Sequence, residues 1–205
     1  NDATAYNRRA ILQMNLGDLD AALRDFTAAI ARSPEPASAL RNRGIAHARK
    51  GDLDAAIADY TAAIKHDPLY LDAYVSLSRA YFRRGDRERG MALLDEALAI
   101  EPTYLTARLD RARERFEQET YDVAREDFDA AIALRPRDAD LWNNRGRCSM
   151  ALGEFSRAIA DFDEAIRLEP DLAAAYRGRA ATLRHLGQHR RAADDLDTAI
   201  RLEPE

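Results

Sequence analysis

The chain has 205 residues, of which 46% are hydrophobic and 33% charged, with a formal net charge of −5. That mildly acidic balance argues against non-specific nucleic-acid binding, which needs a basic surface. The longest stretch free of Asp, Glu, Lys and Arg is Ala10–Gly17, eight residues, where a membrane span needs about 18, and the single cysteine, Cys148, excludes an internal disulfide.

Taken in order, the chain reads as six helix–turn–helix segments, 3–36, 37–70, 71–104, 105–138, 139–172 and 173–205. The first has small residues at Ala10 and Ala22, a Gly17-Asp18 turn between them, Phe26 and Ala29 on the second helix, and Pro34 at its end. The second repeats this with Gly44, Gly51-Asp52, Ala56, Tyr60, Ala63 and Pro68, and the third with Ser78, Gly85-Asp86, Gly90, Leu94, Ala97 and Pro102. Glycine ends each first helix by taking positive φ, and an Asp such as Asp52 caps the next helix. Proline after the second helix cannot continue it. The fourth segment keeps Ala112, Ala124, Phe128, Ala131 and Pro136 but has Glu119 in place of the turn glycine, so a rearranged turn or less regular local stacking is expected there. The fifth carries Trp142, Gly146, Gly153, Ala158, Phe162, Ala165 and Pro170; the sixth carries Ala180, Gly187, Ala192, Leu196, Ala199 and Pro204. These six prolines stand 34 residues apart, and a fixed period of that size marks a solenoid of stacked units.

This spacing resembles the tetratricopeptide repeat, a 34-residue helix–turn–helix unit, over essentially the whole chain. The resemblance implies an all-α right-handed solenoid of such repeats forming one array. Repeat four departs most: Arg108 replaces a usual aromatic and Arg115 a usual tyrosine.

A second pattern runs through the helices. Arg9, Arg43, Arg111, Arg145 and Arg179 recur on first helices, and Asp25, Asp59, Asp127, Asp161 and Asp195 on second helices; repeat three has Leu77 and Leu93 instead. Charge is lost at both places together, which predicts an Arg–Asp pair within each repeat and a Leu–Leu contact in the third.

No catalytic constellation is present: there is no phosphate-cradling glycine loop, Cys–His pair or HExxH, so a non-enzymatic protein without cofactor is expected. His185 and His189 are four apart, but Gly187 puts a turn between them, and a packing or surface role is favoured over a metal site. Cys148 sits among small residues and reads as a buried, inert thiol. Arginine outnumbers lysine 29 to 2, read first as codon usage of a GC-rich, bacterial genome. The compartment stays open.

The resemblance further implies that first helices line a concave groove that binds a peptide or a partner segment. Carried over position by position, the groove residues are Arg41, Ile45, Arg49, Arg79, Phe82, Arg83, Arg113, Phe116, Asn143, Arg147 and Met150. Arg79, Arg113 and Arg147 read as an arginine ladder beside Phe82, Phe116 and Met150, suited to an acidic peptide with apolar anchors; the alternative is that these arginines only solvate the groove. The two-carboxylate clamp of chaperone adaptors is not matched, since Arg113, Ala174 and Gly178 stand where it wants Asn and cations. The expected function is a protein-interaction scaffold. The alternatives are a regulatory or substrate-recruiting arm of a larger enzyme, or self-association through the apolar face of the last helix, Leu196, Ala199 and Ile200.

Overall fold

The structure, a computed structural model, describes residues 2–203. Among them are twelve α-helices: α1 (Ala3–Asn15), α2 (Leu19–Ile30), α3 (Ala37–Lys50), α4 (Leu53–His66), α5 (Leu71–Arg84), α6 (Arg87–Ile100), α7 (Leu105–Glu117), α8 (Tyr121–Leu134), α9 (Ala139–Ala151), α10 (Phe155–Leu168), α11 (Ala173–His185) and α12 (His189–Leu202). No strand occurs among the described residues. The fold is all-α and of the helix–turn–helix solenoid class. Pro204 lies outside the described residues.

The local causes are those expected from the residues. Asp18, Asp52 and Asp86 each accept a hydrogen bond from the third amide onward, Ala21, Ala55 and Arg89, satisfying a donor that the new helix leaves open. Gly51 ends α3 at φ 89°, a conformation that costs other residues strain. Repeat four corrects the expectation of a rearranged turn. Glu119 itself adopts φ 59°, and its amide and that of Thr120 reach back to Phe116 and Arg115. These are the same bonds that Gly85 and Asp86 make to Phe82 and Tyr81. Glu119 thus takes the left-handed conformation that glycine takes in the other turns, at a cost of about 1 kcal/mol for a residue with a Cβ.

Two compact units are present, one ending at Ala107 and the other beginning at Arg108. In the first, α1 packs on α2, α3 on α4 and α5 on α6, while α2 meets α3 and α4 meets α5. Its core runs through Phe26 with Ala46, Tyr60 with Leu77 and Ala80, and Tyr74 with Leu94 and Leu98. In the second, α9 packs on α10 and α11 on α12, with α8 against α9 and α10 against α11. Phe128 and Cys148 share one cluster there.

Small residues mark where helices cross. A Cβ on Gly44 would lie 2.6 Å from the Tyr60 ring. Gly146 and Gly178 approach the ring of Phe162, where added Cβ atoms would lie 2.9 and 2.5 Å away. The aromatic at the fourth position of a first helix has its own task. Tyr74, Trp142 and Tyr176 donate to the carbonyls of Pro68, Pro136 and Pro170, pinning each link to the helix that follows it.

The arginine–aspartate pattern is a set of ion pairs. Arg43, Arg111, Arg145 and Arg179 each grip Asp59, Asp127, Asp161 and Asp195 through Nε and Nη2, and Arg9 grips Asp25 in the same way. The forked, two-bond geometry is the one planar guanidinium suits. Hydrogen bonding from Arg9 holds the Asp25 carboxyl below its usual range. In repeat three Leu77 is buried in a cluster against which Leu93 packs. Repeat four adds to the pattern: Arg108 and Arg115, at 3.4 and 2.8 Å, join Arg111 on Asp127, which is 1% exposed. The two residues that depart from the repeat's aromatics are thus explained together, as cations drawn to one buried carboxylate.

Candidate functional site

First helices build a cleft of about 490 Å3 in the second unit. From α7 it takes Leu109, Arg113, Phe116 and Glu117, spaced so that all four fall on one helical face. From α9 it takes Asp140, Leu141, Asn144 and Arg147, with Asp138 just before that helix and Phe128 of α8 at the floor. Phe116 is held edge-on by Tyr121, centroids 5.1 Å apart, and the Arg147 guanidinium lies 4.6 Å over the Phe116 ring. Arg147 also donates to Asn144 Oδ1 at 3.2 Å. Arg113 is anchored at 3.3 Å by Asp110, itself buried. Both cations remain exposed at their tips. The cleft is therefore two-signed: Arg113 and Arg147 over an apolar floor, with Glu117, Asp138 and Asp140 lining the same space.

Of the expected groove residues, Arg113, Phe116 and Arg147 are brought together here. Met150, also on α9, is half-buried. Asn143 is 5% exposed, with its Oδ1 buried and without a hydrogen-bond partner, so it belongs to the interior of α9. The remaining residues are in the first unit. Arg41 donates to Asp72 O and Ser76 Oγ on α5, Ile45 packs into two core clusters, and Phe82 packs against the Tyr74 cluster. Arg49 and Arg83 donate to the carbonyls of Met14 and Ala48, each near the end of the preceding first helix, where orphan carbonyls and the negative end of the helix dipole favour a cation. Arg79 is on α5, exposed. Reading by position thus found the cleft's cations and aromatic, and missed its acidic side, whose Glu117 and Asp140 also stand at groove positions.

Elsewhere, His185 stacks on Phe155 with ring centroids 5.3 Å apart, and His189 is exposed at the start of α12. Cys148 is fully buried, and burial pushes its thiol up to about 11, which keeps it from forming the reactive thiolate. Among the described residues no helix is long and apolar enough to cross a membrane.

The fold and the groove geometry define a helical-repeat interaction module, and the sequence comparisons give its family. One tetratricopeptide-repeat model matches residues 7–64, 109–173 and 149–205, and another matches 47–113; the chain belongs to the tetratricopeptide repeat family. No curated protein matches the sequence. Among solved structures, a tetratricopeptide repeat protein from Parabacteroides merdae superposes with a TM-score of 0.81 at 20% identity, covering 99% of this chain and 80% of that one. MamA from Desulfovibrio magneticus, residues 41 to the end, gives 0.74 at 19% identity over 81% and 94% of the two chains. A further MamA crystal structure gives 0.71 at 23% identity over 78% and 93%. These likenesses are ones of fold. The general class, a protein–protein interaction scaffold, rests on the family model.

Proposed function

We propose that this chain is a non-enzymatic scaffold that binds a peptide or an extended partner segment in the cleft between α7 and α9. The observation that carries the reading is Arg147 held over the Phe116 ring, with Arg113 in the same cleft. An aromatic floor under a fixed guanidinium offers one apolar anchor site beside one carboxylate site. The occupant suited to it has an acidic residue next to a Leu, Ile or Phe. Glu117, Asp138 and Asp140 add that a basic residue on the other side of the anchor is welcome and that a uniformly acidic tail is not. Much of the surface is preformed, because Phe116 and Arg147 already hold each other, which lowers the ordering cost of binding.

A selection of random displayed peptides on the chain tests this. Enriched peptides are expected to share an apolar residue next to Asp or Glu, and Arg113→Glu with Arg147→Glu should weaken them at least about tenfold. Binding left unchanged by that double charge reversal would overturn the reading.

A further inference from the structure

We infer that the cavity enclosed by α8, α9 and α10 binds a small neutral amide, its N–H end toward Asp161 and its oxygen toward Arg125 and Arg157. The cavity has a volume of about 90 Å3 and is lined by Arg125 and Asp129 of α8, Arg145 and Ser149 of α9, and Arg157 and Asp161 of α10. It shares no residue with the α7–α9 cleft. Its volume is that of about three waters at liquid density, which admits a guest of the size of acetamide.

One short side chain opens the space. Ser149 stands where the other repeats have Gln13, His47, Tyr81, Arg115 and Leu183, all longer. Three of these bring a nitrogen to the aspartate of their own repeat. Gln13 hydrogen-bonds Asp25, Arg115 Nη1 lies 2.8 Å from Asp127 Oδ2, and His47 Nε2 stands 3.9 Å from Asp59 Oδ2. Ser149 makes no such bond to Asp161. The residue is 1% exposed, and its Oγ has no hydrogen-bond partner among the described residues, a costly state for a buried hydroxyl. Arg125 departs from the repeat as well: its counterparts are Leu23, Ile57, Met91, Ile159 and Ala193. A hydroxyl and a cation thus replace bulk and apolar surface at the same joint.

The walls are of two signs. On one side Arg125 and Arg157 share Glu154 Oε2, at 2.6 and 2.8 Å, two cations on one carboxylate. On the other, Arg145 alone serves Asp129 and Asp161, one cation on two carboxylates. Each group is one charge from neutral, and the six charges together cancel. A charged guest therefore meets a repelling wall on one side or the other. A neutral guest that donates at one end and accepts at the other meets neither, and a primary carboxamide has that pattern. Repeat one supplies the same group from its own chain, as the side chain of Gln13 on Asp25.

Titration of the 205-residue chain with acetamide, followed by backbone-amide and arginine Nε–H NMR shifts, tests it. Saturable shifts centred on Ser149 and Arg145 are expected, with a millimolar dissociation constant because so small a guest makes few contacts. Acetate and guanidinium, its anionic and cationic counterparts in size, should bind at least about tenfold more weakly. Ser149→Gln fills the space with a tethered amide and should abolish the shifts. Ser149→Ala keeps the space but removes the hydroxyl and should weaken binding up to about tenfold. Acetate or guanidinium binding as tightly as acetamide, unchanged affinity in either Ser149 variant, or no saturable shift in the wild-type chain, as for a cavity that holds water only, would each overturn the inference.

Discussion

Glu119 shows how a single residue can be out of place without the fold yielding. It sits at φ 59° in a turn whose counterparts are glycines at 72° to 89°. Replacing it by glycine removes the Cβ strain and should stabilise the chain by about 1 kcal/mol, raising the melting temperature by roughly 2–4 °C for a chain of this size. A lower melting temperature for Glu119→Gly in a calorimetric scan would mean that the Glu119 side chain contributes more than its strain costs. Residue-scale features were unevenly legible beforehand. The five Arg–Asp pairs were readable because the exception, Leu77 with Leu93, changed both partners at once. The gathering of Arg108 and Arg115 on Asp127 was not, because it needs the distances across two helices; in the sequence both residues looked only like lost aromatics.

At the scale of elements, the helices follow from glycine, aspartate and proline placed at fixed intervals, and every first helix starts 34 residues after the last. What the interval could not supply was the use of each groove position. Arg49 and Arg83 stand at groove positions yet spend donors on the carbonyls of Met14 and Ala48. A side chain's partner on the adjacent helix, 35 residues away, decides between capping and binding. Packing between elements sets a sharp limit at Gly178. Phe162 is pinched between Gly146 and Gly178, so the ring cannot retreat from one Cβ without meeting the other. Gly178→Ala should therefore cost about 1–3 kcal/mol through overpacking, despite alanine's better helix propensity. Chemical denaturation should show a lower midpoint; a midpoint at or above that of the wild type would mean the ring has room to move.

For the molecule as a whole, charge pairing sets the response to acid. Asp20 is held low by Lys50, Asp25 by Arg9, Glu154 by Arg125 and Arg157, and Glu164 by Arg167. Each folded-state value is depressed, so the stability it contributes is fully present above the unfolded carboxylate range. That contribution is lost as pH falls through the folded values. Melting followed by circular dichroism should change little between pH 7 and 5 and decline steeply below about pH 4. A melting temperature at pH 2.5 equal to that at neutrality would show that the pairs contribute nothing. The family and fold class were plain from period and composition because a repeat states the same requirement six times. The cleft was legible only in part, because its acidic side is written once, in Glu117, Asp138 and Asp140, with no second copy to set it against.

Trp142 is the chain's one tryptophan. Its indole N–H is tied to the Pro136 carbonyl at 2.9 Å, and the Arg145 cation lies 4.6 Å over its ring. The protein thus carries its own optical label at the joint where α8 gives way to α9. Its ultraviolet emission therefore reports first on that one link, beside Leu141 of the cleft.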